Sequence, residues 1–328
     1  MLRFFFYSLI ATVVWSCSSG AHEGKKATSD KLEKPVIVGE WKHIFNPNDT
    51  RSDIDTTWYT NDHCFAKGPD GKWHAYGIIG HKPIDPWKGE TKFFHISADK
   101  FNQDKWEDHD YALRTKPGVE KVLWAPTIFQ EPASDVSHMF YNIGNMQEHA
   151  RKYTSWGFLC RADSKDMFEW KRHPLNPQFS DPGHARDAFV MKDGGKYYFY
   201  YTRAYTEVDR RSSVGLRTSP DLEHWSGPRI VHSQDSLVST WAGGSESPFV
   251  VKRRNIFYLF VCRAHPKGDY NQTHVYWSKD PEDFPLENLV CELPTHASEI
   301  IKVSDNEWYI SNTGWDKKGL FIARLEWQ

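Results

Sequence analysis

The sequence predicts an all-β protein, a five-bladed β-propeller whose four-stranded antiparallel blades surround a central channel. Three observations predict it. A strand-rich unit recurs five times, with anchors at Asp62, Trp124, Asp187, Glu246 and Ser298 spaced by 62, 63, 59 and 52 residues. Repeats of about 40 to 60 residues holding four short strands are the signature of propeller blades. The strands are short β-branched and aromatic runs bounded by Gly, Pro and Asp, apolar almost without interruption, as expected when both faces of a blade pack on neighbours. No amphipathic helical stretch of useful length competes with them.

Taken in order, residues 1–16 read as a secretory signal, with Arg3 ahead of the apolar run Phe4 to Val14. That run is too short to span a bilayer in the mature protein. It ends in Val14-Trp15-Ser16-Cys17, which resembles a bacterial lipobox, so Cys17 is expected to carry a lipid and the polar residues 17–34 to form its tether. The expectation is therefore an exported lipoprotein, held at a bacterial membrane through its anchor alone. Residues 35–328 then form one catalytic propeller domain.

The clearest unit is the third. His184 to Lys192 forms an apolar strand, Asp193-Gly194-Gly195 a turn, Lys196 to Thr202 an aromatic strand, Val214 to Ser219 a third and Arg229-Ile230-Val231 the start of a fourth. The first unit repeats this from Asp62 through Trp73 to Ser97, the second from Trp124 through Tyr141 to Cys160, and the fourth from Glu246 through Phe257 to Ser278. The fifth runs from Ser298 through Trp308 to Ala323 and stops one strand short. Ring closure needs a partner for that edge, and Pro35 to Phe45, carrying Val36-Ile37-Val38, is expected to supply it.

Composition narrows the function. The chain is 39% hydrophobic and 15% aromatic, enough for a large core, and its net charge of −2 offers no basic field for nucleic acid. A monomer is expected. Cys64, Cys160, Cys262 and Cys291 all fall on strands, none placed to pair and none with zinc-site spacing, so they read as buried thiols.

In a propeller the first strand of each blade lines the channel, so equivalent residues converge on the axis. That position holds Asp62, Trp124, Asp187, Glu246, and Glu299 or its neighbour His296. Several carboxylates around one opening raise one another's pKa, an arrangement costly unless chemistry needs it. Glycoside hydrolysis needs it: one protonated carboxyl group to donate to the leaving oxygen, one ionised carboxylate on the other face of the sugar, and a third to hold the donor's pKa up. The assignment is Asp62 as base, Glu246 as acid and Asp187 as tuner. Strands facing across a small channel should hold the pair about 6.5 to 9.5 Å apart, the inverting range.

Around them, Trp58, Trp124 and Trp241 are candidates to stack on sugar rings, since sugars offer apolar C–H faces. Second strands return to the carboxylate face at His81, Asn145, Arg203, Arg263 and Trp315. Arg203 and Arg263 either pair with blade carboxylates or bind an acidic sugar through bidentate contacts, and Arg186 joins the substrate-binding set.

On these residues the chain resembles the five-bladed propeller glycosidases, above all glycoside hydrolase family 43, with family 32 as its relative. The motifs are Asp62 in the first blade, Trp124-Ala125-Pro126 in the second, Arg186-Asp187 in the third and Glu246-Ser247-Pro248 in the fourth. The resemblance covers about residues 40 to 328 and gives the three acids the same roles. It implies an exo-acting enzyme that releases a terminal pentose, L-arabinofuranose or D-xylose, from plant or algal polysaccharide fragments. No cofactor is implied. His296 would be the histidine that sits beside a channel cation, calcium, in many family members. Asn61-Asp62-His63-Cys64 is similar to the first-blade motif of family 32, with His63 in place of proline. That family would make the protein a retaining β-fructosidase with Asp62 as nucleophile. A sugar-binding propeller without catalysis is the alternative outside the enzymes, because fold does not fix function.

Overall fold

The computed structural model describes residues 31–51, 57–132, 134–144, 157–181, 184–204, 213–233, 245–263, 271–315 and 317–328. The segment read as a secretory signal, Cys17, Asn145 and Trp241 lie outside them. No helix among the described residues is long and apolar enough to cross a membrane.

Five antiparallel sheets form the blades. Blade one is β2 (Trp58–Lys67), β3 (Trp73–His81), β4 (Lys92–Ala98) and β5 (Glu107–Asp108), with β6 (Leu113–Arg114) also on β4. Blade two is β7 (Trp124–Gln130), β8 (Ser137–Gly144), β9 (Gly157–Ser164) and β10 (Lys171–Arg172). Blade three is β11 (His184–Asp193), β12 (Lys196–Ala204), β13 (Ser213–Ser219) and β14 (Arg229–Ser233). Blade four is β15 (Glu246–Arg253), β16 (Ile256–Cys262), β17 (Thr273–Ser278) and β18 (Leu289–Leu293).

The fifth blade consists of β19 (Ile300–Ser304), β20 (Glu307–Asn312) and β21 (Leu320–Trp327), and it is completed from the other end of the chain by β1 (Pro35–Phe45). Strand β1 runs antiparallel to β21, from Pro35 opposite Trp327 to Phe45 opposite Leu320. Lys34 and Gln328 exchange backbone hydrogen bonds just beyond it. Glu33 extends the fastening, accepting from Arg253 at 2.9 Å while its amide donates to the Tyr258 hydroxyl. The edge left by β21 is thereby paired.

Each strand's alternation explains why the apolar runs are continuous. On β12, Tyr197, Phe199 and Tyr201 enter the cluster shared with blade two, while Tyr198 and Tyr200 enter the cluster shared with blade four. On β16, Phe257, Leu259 and Val261 face blade three and Tyr258 and Phe260 face blade five. Five clusters of this kind fill the five interfaces between blades. Full burial of one such side chain, Phe199 for example, contributes about 1.5–3 kcal/mol. The Asp193-Gly194-Gly195 turn is a two-residue hairpin loop, with both glycines at positive φ (55° and 80°), the geometry that matches strand twist. None of Cys64, Cys160, Cys262 and Cys291 is in a disulfide.

Candidate active site

The first strand of blades one to four carries an irregularity at its channel end. In blade two Trp124 pairs with Asn142 and Thr127 with Phe140, leaving Ala125 and Pro126 outside the ladder. Blades one, three and four do the same with Asn61-Asp62, Asp187-Ala188 and Ser247-Pro248. The first bulged residue of blades two, three and four is left-handed, with φ of 45° at Ala125, 53° at Asp187 and 47° at Ser247; Ala297, ahead of β19, has φ 46°. Non-glycine residues held there cost on the order of 1–3 kcal/mol each, strain that collects at functional sites.

This register corrects the expectation that the three acids occupy equivalent places. Glu246 is the last paired residue before its bulge, Asp187 the first bulged residue and Asp62 the second. The bulges convert that stagger into convergence: Asp62, Asp187 and Glu246 line one cavity of about 340 Å³, with Asn61, Trp124, Arg186 and His296. The volume falls in the range of small-molecule sites, about 300–1,000 Å³.

The acids are wired together. Ser247 donates its hydroxyl to Asp62 Oδ1 at 2.8 Å and its amide to Asp187 Oδ2 at 3.2 Å. Thr202 donates to the same Asp187 oxygen at 2.9 Å. Arg186 reaches Asp187 through Nε at 3.3 Å and Glu246 through Nη2. Burial raises the pKa of Asp62, against the Ser247 hydrogen bond and the Arg186 charge, which lower it. Burial also raises Asp187, which Arg186 lowers and the Asp62 charge raises further. Beneath the pocket lies Glu299, with Asp62 and Asp187 on the channel wall; burial and then the Asp62 charge hold its carboxyl well above the usual range.

His296 does lie in the pocket, its Nδ1 at 3.5 Å from Cys262 Sγ and its Nε2 at 3.1 Å from Asn61 Oδ1. Hard cations take six to eight oxygen ligands, and both ring nitrogens of His296 already face protein groups. Among the described residues no group of three or more His, Cys, Asp or Glu is disposed to hold a metal.

Other residues singled out in the sequence lie elsewhere. Trp58 is buried, 5% exposed, in the cluster between blades one and five, with the Lys92 ammonium over its ring. Neither Arg203 nor Arg263 is among the described residues lining the pocket. Arg263 is close enough to His232 and His274 to disfavour their protonation. Trp315 does line it, as do Asn271 and Lys317, with Lys317 Nζ donating to Asn271 at 2.5 Å.

Glu90 was not foreseen from the sequence. It follows the short helix Pro86–Gly89 between β3 and β4, a connection that also contributes Ile84 and Pro86 to the pocket wall. No motif marks it; the only signal was a carboxylate in a loop on the channel side.

No family model matches the chain, and no curated protein does. Solved structures do share its architecture. A thermostable family-43 glycoside hydrolase superposes with a TM-score of 0.60 at 16% identity, over 84% of this chain and 91% of that one. The catalytic domain of the Coprinopsis cinerea GH62 α-L-arabinofuranosidase gives 0.60 at 12% identity, over 90% and 97%. The Bombyx mori GH32 β-fructofuranosidase gives 0.58 at 16%, over 86% of this chain but 62% of its own. The chain thus has the five-bladed β-propeller fold found in glycoside hydrolases of families 43, 62 and 32.

Proposed function

We propose that the protein is a glycoside hydrolase, an inverting, exo-acting enzyme that removes a terminal pentose, L-arabinofuranose or D-xylose, from polysaccharide fragments. The observation that carries this reading is the joining of Asp62, Asp187 and Glu246, from three blades, into one pocket through Ser247 and Arg186. Asp62 takes the proton of the attacking water. Glu246 gives a proton to the departing glycosidic oxygen. Arg186 occupies a Glu246 oxygen in the free protein, so that pairing opens when substrate enters, and Arg186 keeps its second contact, to Asp187. Asp187, beside both, fixes Arg186 and adds the negative charge that holds protons in the site.

Support for the pentose comes from the fold shared with a family-43 enzyme and an α-L-arabinofuranosidase. A structure of a GH43 β-xylosidase/α-arabinofuranosidase in complex with xylotriose has the same fold. Acidic substituents, if recognised, would meet Arg186 or Lys317 among the described pocket residues. A panel of nitrophenyl pentosides, with sucrose as a further substrate and the product anomer followed by NMR, tests the reading. Release of pentose with inverted configuration supports it. Cleavage of sucrose alone would favour the β-fructosidase, and sugar binding without cleavage the non-catalytic propeller. We further propose export and lipidation at Cys17, supported by the lipobox-like Val14 to Cys17; release of a Cys17→Ala variant from the membrane fraction tests it.

A further inference from the structure

Four carboxyl groups line the pocket among the described residues, and the roles above use three of them. The fourth, Glu90, is 2% exposed. Its Oε1 accepts from the Trp315 indole N–H at 3.0 Å and from the Tyr59 hydroxyl at 3.2 Å, with Trp124 approaching as a further donor. Its backbone carbonyl takes the Leu123 amide at 2.9 Å, which ties this loop to the start of blade two. Among the described residues no basic side chain pairs with it, whereas Asp62, on the neighbouring strand β2, is close enough to repel a second negative charge. The other charged or titratable groups sharing the pocket are Asp187, Glu246, Arg186, His296 and Lys317.

A buried carboxyl that faces aromatic donors and an adjacent carboxylate, with no cation of its own, is held neutral. Burial first, then Asp62, pushes the Glu90 carboxyl up to about 8. A neutral carboxyl group can donate a hydrogen bond, while a carboxylate can only accept one. The position of Glu90 on the pocket wall makes that difference felt by a ligand.

We propose that Glu90 is a substrate-binding residue that presents a protonated carboxyl group to a hydroxyl of an uncharged terminal sugar, and that its ionisation sets the alkaline limit of binding. With Trp315 and Tyr59 both donating to Oε1, the proton is assigned to Oε2, which carries it toward the ligand. Loss of that proton removes the donor and places a second anion beside Asp62, so affinity falls. The inference takes its ligand class from the glycosidase reading, but its test does not require turnover.

The test is calorimetric titration of the full chain with L-arabinose and with D-xylose between pH 6 and 10, for the parent and Glu90→Gln, alongside turnover of nitrophenyl pentosides. Glutamine keeps the shape and stays neutral. The parent should lose affinity by about tenfold per pH unit above the Glu90 transition, while the affinity of Glu90→Gln shows no such fall. The same alkaline fall in both proteins would overturn the proposal. So would a kcat loss in Glu90→Gln of about a hundredfold at unchanged KM, which would make Glu90 a proton donor. The ¹³C shift of the Glu90 carboxyl, followed with pH in the parent, probes the same ionisation without a variant: a midpoint near the ordinary value of about 4.3 contradicts the proposal. Sugar binding with the expected fall but no hydrolysis would keep this inference and remove the glycosidase reading. Hydrolysis with an unaltered fall in Glu90→Gln would do the reverse, and neither binding nor hydrolysis would remove both.

Discussion

The Ser247 hydroxyl lies 2.8 Å from Asp62 Oδ1, although the two residues are 185 positions apart in the chain. Ser247 can reach because it is the left-handed residue of the β15 bulge, and its amide meanwhile serves Asp187. One residue of blade four therefore positions carboxylates of blades one and three. The Ser247 hydrogen bond lowers the Asp62 pKa, so Ser247→Ala should raise it and shift the acidic limb of kcat/KM to higher pH. The loss at the optimum should be about tenfold, with the fold retained because the amide contact to Asp187 survives. A kcat/KM profile against pH, set beside the parent's, checks both effects.

Ring closure depends on one glycine. Gly319, just before β21, has φ +117°, and a Cβ there would meet the Phe45 carbonyl oxygen at 1.9 Å. That contact is backbone at the end of β1, so nothing flexible can move aside. Gly319→Ala should destabilise the protein by about 3 kcal/mol, seen as a lowered urea midpoint. Gly194→Ala, with nothing within 4 Å of the added atom, should cost less, through its φ alone.

Histidines buried without charge make the fold acid-sensitive. On blade one His74 Nδ1 lies 2.8 Å from His95 Nε2, and the His109 ring is tilted against His95 with ring centroids 4.7 Å apart. Burial first, then the neighbouring histidines, pushes His95 down to about 2. A depressed folded-state value gives stability that is present above the unfolded pKa and lost as pH falls. His95→Gln should therefore remove about 2 kcal/mol of the decline in unfolding free energy between pH 6.5 and 5. Urea melts at the two pH values measure it.

The buried pocket acids work in the opposite direction. Asp62, Asp187, Glu90 and Glu299 all have raised folded-state values, so the stability they contribute is present below their unfolded pKa and lost as pH rises. For Glu90 the loss is complete only above about 8. Glu90→Gln should accordingly gain on the parent in melting temperature between pH 6 and 9, and thermal melts across that interval check the trend.

The blades were legible because their second strands are buried on both faces, so Tyr197 to Tyr201 reads as an unbroken aromatic run even though its residues divide between two interfaces. The closing strand was legible because unit five stops one strand short and Val36-Ile37-Val38 stands apart at the other end. The bulge geometry was not. Left-handed backbone is usually announced by glycine, but here it falls on Ala125, Asp187, Ser247 and Ala297, so the stagger of the three acids cannot be read from residue types. Trp58 and Trp124 looked alike, each an aromatic at the head of a strand, yet one packs between blades one and five and the other lines the pocket. Glu90 was hidden because a connecting loop carries no period to place it against the channel.

The central claim is that Asp62 and Glu246, brought together by the bulged inner strands, are the base and acid of a glycosidase. The measurement that meets it most directly is turnover of nitrophenyl pentosides by the parent, Asp62→Asn and Glu246→Gln, each checked for folding by circular dichroism. Cleavage by the parent, with kcat lowered by about 10²- to 10⁴-fold in each folded variant, is the expected result. Cleavage that persists at the parent's rate in both variants would contradict the account.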